Sequence, residues 1–113
     1  MKNVGRSNEI DNILSNGISL ESLGVKNWAF SQKESLLILD KFVELQIPVL
    51  GGDVCDLVNE AIRFNYDNWY CNKLSNEPHL DFVKRSINKA REYIEQYSVK
   101  KSDKIFFVFV LDL

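Results

Sequence analysis

Apolar residues recur along this chain in distinct rhythms, and each rhythm predicts a different kind of element. Leu36, Ile38, Leu39, Phe42, Val43 and Leu45 form a broad face at helical spacing. Ser31-Gln-Lys-Glu34 stands just before it as a capping box. The serine hydroxyl can accept from the amide of Glu34 while the Glu34 carboxylate reaches back. The spacing predicts a helix over 32–46, and Pro48 blocks its continuation.

Farther on, Leu80, Val83, Ile87, Ala90, Ile94 and Tyr97 alternate steps of three and four, which predicts a one-faced helix over 79–98. Lys84, Arg85, Asn88, Lys89, Glu92 and Glu95 take its solvated side, and Lys100, Lys101 and Lys104 complement its C-terminal dipole. A shorter helix over 7–15 is expected from a Ser7 cap and from Ile10, Ile13 and Leu14 on one face. Asn16-Gly17 ends it.

Strands carry the other rhythm. Ile105 to Leu111 is apolar on both faces and predicts an interior strand. Ile47–Leu50, Val54–Val58 and Ala61–Phe64 read as shorter strands, the last two joined by a two-residue hairpin at Asn59-Glu60. Gly51-Gly52 permits a sharp turn or a close backbone approach, and Phe64 to Cys71 extends the third of these strands through a bend. Residues 18–30 read as irregular chain dipping repeatedly into a core. These elements predict an α+β fold, a single domain over 1–113 with a small, mainly antiparallel sheet. Two longer helices and a short N-terminal one pack on it.

The 113 residues suit one hydrophobic core, and seven Phe, four Tyr and two Trp supply the bulk to fill it. No apolar run approaches the roughly 20 residues that span a bilayer, and residues 1–14 lack the pattern of a signal peptide. The expectation is a cytoplasmic protein with Cys55 and Cys71 as reduced thiols. The net charge of −2 argues against a nucleic-acid binder of the basic-patch kind. Its distribution is uneven. Residues 51–81 hold six carboxylates and two basic side chains, whereas residues 82–104 hold seven basic side chains and three acidic ones. A solvated surface accounts for this, as does an acidic face that steers a basic partner.

Catalytic chemistry finds little support. His79 is the sole histidine and has no nucleophile motif beside it. Cys55, Cys71 and His79 lack zinc-ligand spacing, and neither GxxxxGK nor GxGxxG occurs. No catalytic residue, metal or cofactor is therefore assigned. An enzyme using Asp53 and Asp67 is the most distant reading. In YDNWYCN, residues 66–72, strand alternation sends Tyr66, Asn68 and Tyr70 to one side and Asp67, Trp69 and Cys71 to the other. Trp69 and Cys71 read as a core pair, with the indole N–H seeking a backbone carbonyl. Asp67 is expected at a bend, bonding amides of the Gly51–Val54 turn or a basic side chain.

The combination of PVLGGDV at 48–54, YDNWYCN at 66–72 and FVKRSINKAREYI at 82–94 resembles the immunity protein 40 family of bacterial polymorphic toxin systems. The likeness runs from about Trp28 to Val110, with Gly51, Gly52, Trp69 and Cys71 in its signature. The resemblance implies a small cytoplasmic protein that binds and neutralises a cognate toxin without catalysis of its own. The partner implied is a toxin domain encoded next to it, with no nucleic acid and no membrane. The acidic bias suggests a toxin-binding surface of Asp53, Asp56, Glu60, Asp67, Tyr70 and Glu77. The alternative is a ligand-binding or regulatory module with an aromatic pocket near Trp69 and Tyr70.

Overall fold

A computed structural model of the protein describes residues 4–97 and 104–113. Three α-helices, α1 (Val4–Leu14), α2 (Gln32–Glu44) and α3 (His79–Gln96), pack with five strands. The strands are β1 (Ile18–Ser19), β2 (Trp28–Phe30), β3 (Val49–Val58), β4 (Ala61–Tyr70) and β5 (Ile105–Leu111). They form one antiparallel sheet in the order β1-β2-β5-β3-β4. The fold is α+β, with the sheet continuous from edge to edge.

The C-terminal strand lies at the centre, between β2 and β3, which explains why Ile105–Leu111 is apolar on both faces. Phe107 and Phe109 point into the helix-side core with Phe30, Leu39, Phe42, Val54, Trp69, Ile87 and Ile94. Val108 points the other way, into a smaller cluster with Leu20, Ala29, Cys55 and Ile62. Ile18, Leu23 and Val25, from the segment expected to be irregular, pack against that back-face cluster. Two short strands and a 3-10 turn at Glu21–Leu23 order this segment.

The helices dock through the middle of their expected stripes, but Leu80 and Val43, expected on the apolar faces, are exposed, and Phe82, outside the expected stripe, is buried. Ser31 caps α2 in the expected box, with its Oγ accepting from the Glu34 amide at 3.2 Å. Ser86, fully buried on α3, accepts from the Val49 amide at 3.0 Å and donates to the Val83 carbonyl, so the helix is pinned to the start of β3. Arg91 of α3 reaches Asp40 of α2 at 2.9 Å. The first helix begins at Val4, ahead of the expected Ser7 cap, which lies inside it. Ser98, Lys100 and Lys101, expected at the end of α3, fall outside the described residues.

One expectation is corrected at Gly51-Gly52. These residues make no turn; Val49–Val58 is a single ten-residue strand, so the two short strands expected there are one. The glycines are there for close approach. A Cβ on Gly52 would lie 2.2 Å from Trp69 Cη2 and 2.3 Å from the Val108 carbonyl oxygen, and one on Gly51 would lie 2.3 Å from the Trp69 carbonyl oxygen. The far end of the Trp69 ring therefore packs directly against β3 at a position that has no side chain. Its ring stacks on Tyr93 at 4.8 Å and meets Phe109 edge-on at 6.2 Å.

Candidate functional site

The β3–β4 hairpin holds most of the residues expected to matter, and its backbone is unusual. Asn59 and Glu60 close it with φ of 51° and 66°, the left-handed pair of a type I′ turn. The register then breaks. Asp53 pairs with Asn68 and Cys55 with Phe64, which leaves Asn65, Tyr66 and Asp67 opposite Val54 alone. Tyr66 sits at the crest of this bulge with φ of 74°, a conformation that costs a non-glycine residue about 1–2 kcal/mol.

Side chains hold the bulge in shape. Asn65 Oδ1 accepts from the Asp67 amide at 2.9 Å, while its Nδ2 donates to Asp56 and to the Tyr97 hydroxyl, each at 3.1 Å. That hydroxyl donates to Asp67 at 2.5 Å, and Asn68 Nδ2 donates to the Tyr66 carbonyl. Burial, together with the bond to Asp67, pushes the Tyr97 phenol up to about 12, so it stays a donor. Asp67 thus takes as its partner Tyr97, the residue that caps the C-terminal end of α3, rather than the Gly51–Val54 amides or a basic side chain as expected.

The six expected contact residues do not share one face. Asp56 and Asp67 belong to the network just described. Glu60 is exposed at the hairpin tip. Asp53 and Asn68 lie side by side on the back face, and Asp53 is half-buried with no hydrogen bond or ion pair among the described residues. Burial pushes its carboxyl above the usual range. Tyr70, 65% exposed, is covered on one side by Lys89, whose Nζ lies 5.2 Å from the ring centroid.

Glu77 is different again. Arg85 grips it through Nε and Nη2, both at 2.8 Å, and adds bonds to the Asn72 carbonyl and the Cys71 sulfur. Glu77 also accepts from the Leu74 amide. Arg85 was expected on the solvated side of its helix. It is instead a strap that ties α3 to the loop after β4. The hydrogen bonds from Arg85 and the Leu74 amide hold the Glu77 carboxyl down at about 2, from an ordinary 4.5. A lowered carboxyl stabilises the fold above the unfolded value and loses that contribution as pH falls from about 4.5 through about 2. Melting curves of wild type and Glu77→Gln should therefore be well separated at pH 7 and converge as the acid limit is approached. A gap that stays constant across that range would remove the strap from the stability of the loop.

Trp69 and Cys71 are both buried, as expected of a core pair. The Trp69 indole N–H, expected to find a backbone carbonyl, has no hydrogen-bond partner among the described residues. Its ring is enclosed by Tyr93, Phe109 and Gly52, so it builds core rather than a cleft. Both cysteines are free. Burial, then the carboxylates of Asp53 and Asp56, push the Cys55 thiol up to about 12, which keeps it protonated. Among the described residues no three His, Cys, Asp or Glu side chains gather in a way that could hold a metal ion, and no helix is long and apolar enough to cross a membrane. His79 is exposed, its ring 3.0 Å from the Gln46 carbonyl oxygen. Two apolar grooves open on the helical side, about 310 Å³ beside Ile13, Phe30 and Leu37 and about 260 Å³ beside Val43, Leu80 and Ile87.

Tyr66 was missing from the expected contact set. Its signal was present: Asn65-Tyr66-Asp67-Asn68 puts three residues that favour turns inside an otherwise strand-like run.

Fold and site together define a small two-layer α+β protein whose irregular backbone and exposed aromatics gather along one hairpin. Residues 19–111 match the family described as Immunity protein 40. The chain belongs to that family of immunity proteins. Comparison with curated proteins found no match to it.

Proposed function

We propose that this protein acts in the cytoplasm by binding a cognate toxin, encoded beside it, and blocking it stoichiometrically, with no catalysis of its own. The family match over residues 19–111 carries this reading. The surface supports it. The β3–β4 hairpin bears Asp53, Asp56, Glu60 and Asp67 against a single cation, Arg63, a bias suited to a basic partner rather than to nucleic acid or an anionic membrane. Asp53 adds a physical argument. A half-buried carboxylate without a partner among the described residues works against folding in the free protein, and a cation from a bound partner would offset that cost. Because Asp53 faces the back of the sheet and Asp56 and Asp67 face Tyr97, a partner that touches Asp53, Asp56, Glu60, Asp67 and Tyr70 has to straddle the outer edge of the hairpin, while Glu77 belongs to the Arg85 strap.

Co-purification with the inactivated toxin domain of the adjacent reading frame tests the reading, together with rescue of cells that express the active form. Neither Asp53 nor Glu60 holds up the bulge network. Asp53→Asn combined with Glu60→Gln should slow association about 3–10-fold at low salt and flatten its dependence on ionic strength. The double variant should melt no lower than wild type, because Asp53→Asn removes a desolvated charge. Unchanged association kinetics at low salt would take the acidic hairpin out of the mechanism.

A further inference from the structure

We propose that Tyr66 is the anchor of the partner interface, inserting its phenol into a pocket on the toxin whose rim carries arginine or lysine. This rests on the toxin-binding reading. Tyr66 is 87% exposed, against 65% for Tyr70. A side chain so exposed adds almost nothing to the core, yet its backbone is held at φ of 74°, where glycine or asparagine would be at ease. Folding alone gives no reason for a tyrosine there.

The support beneath it is unusually complete. Asn65, Asp67, Asn68 and Tyr97 each make a hydrogen bond that fixes the bulge, and Tyr97 is itself packed edge-on against Phe107 at 5.5 Å. The crest is therefore presented by a rigid base. Little conformational entropy remains to be lost when a partner closes on it. Tyrosine suits the role because it buries a large, stiff ring while its hydroxyl can still find a polar partner. Binding energy at protein interfaces concentrates in such aromatic anchors.

Charge selects the kind of pocket. Asp67 follows Tyr66 directly, Asp56 belongs to the same network, and Glu60 closes the same hairpin, with Arg63 as its one cation. A pocket rimmed by carboxylates would be repelled, and a wholly apolar rim would leave these groups desolvated without partners. A basic rim satisfies both conditions.

The test uses the full chain and the inactivated toxin domain from the adjacent reading frame, with affinity measured by calorimetry and Tm by thermal melting. Tyr66→Ala and Tyr66→Gly should each bind about 30-fold or more weakly, the loss typical of an interface anchor, while Tyr66→Phe keeps most of the affinity. Both truncations should melt no lower than wild type, which a merely structural role would not permit. Wild-type affinity should fall as salt rises from about 0.05 M to about 0.5 M. If wild type binds and Tyr66→Ala binds within about 3-fold of it, Tyr66 is not the anchor and the toxin-binding reading stands. Tight binding that ignores salt would overturn the basic rim. If wild type does not bind at all, both proposals fail together.

Discussion

Phe109→Ala should be among the most damaging single truncations in the protein, costing about 3–5 kcal/mol. Phe109 lies on the central strand and is 2% exposed. Phe42 meets its ring edge-on at 5.3 Å, Trp69 does so at 6.2 Å, and Phe30 lies at 6.3 Å. Three elements besides β5 thus converge on one ring, from β2, α2 and β4. A cavity at that position cannot be filled by a shift of one neighbour, because each is fixed by its own strand or helix. A domain of this kind has a total stability of only about 5–15 kcal/mol, so the variant would lie close to its unfolding threshold. Urea melts give the comparison, with Val110→Ala, next along the same strand and 45% exposed, as the control. If the two variants lose similar stability, the aromatic cluster is not the centre of the core.

Gly52→Ala should destabilise by about 3 kcal/mol, far more than one methyl group suggests. The added Cβ meets two obstacles at once, the Trp69 ring at 2.2 Å and the Val108 carbonyl oxygen at 2.3 Å. The ring could turn aside at the expense of its stacking on Tyr93. The carbonyl cannot, since β5 is held between β2 and β3. The second obstacle makes the prediction sharper. Shortening the ring in a Gly52→Ala, Trp69→Leu double variant should not restore stability, because the backbone collision remains. Chemical denaturation of the two single variants and the double measures the coupling between the positions, and full rescue would place the whole conflict in the indole.

The fold was legible wherever one periodicity held over enough residues. The stripe from Leu80 to Ile94 and the capping box at Ser31 located α3 and α2, since both signals are local and repeat over several turns. The doubly apolar run Ile105–Leu111 gave the central strand for a similar reason: only an interior strand buries both of its faces. The strands β1 and β2, of two and three residues, are too short for any alternation to register.

Gly51-Gly52 misled because glycine signals a turn and a close approach equally well, and only the position of Trp69, seventeen residues after Gly52, decides between them. The site was harder to read for a further reason. Asp53, Asp56 and Asp67 are alike in composition, but the register sets the first on the back face, while Asn65 of the bulge bonds Asp56 and the Tyr97 hydroxyl bonds Asp67. Arg85 likewise carries the spacing of a solvated residue. Its role as a strap depends on a loop that periodicity does not describe.

The bulge in β4 bears on how copies of this protein behave in each other's company. β4 is an outer strand of ten residues, and a regular strand of that length would offer its free amides and carbonyls as a template for a neighbouring chain. The excess residues at Asn65–Asp67 put those groups out of step, leaving only Ala61–Phe64 and Asn68–Tyr70 in regular spacing on either side. An incoming strand can follow neither run for long. The opposite edge, β1, is only two residues long and gives no better foothold. Strand-by-strand addition of one copy to another is thus obstructed at both edges of the sheet.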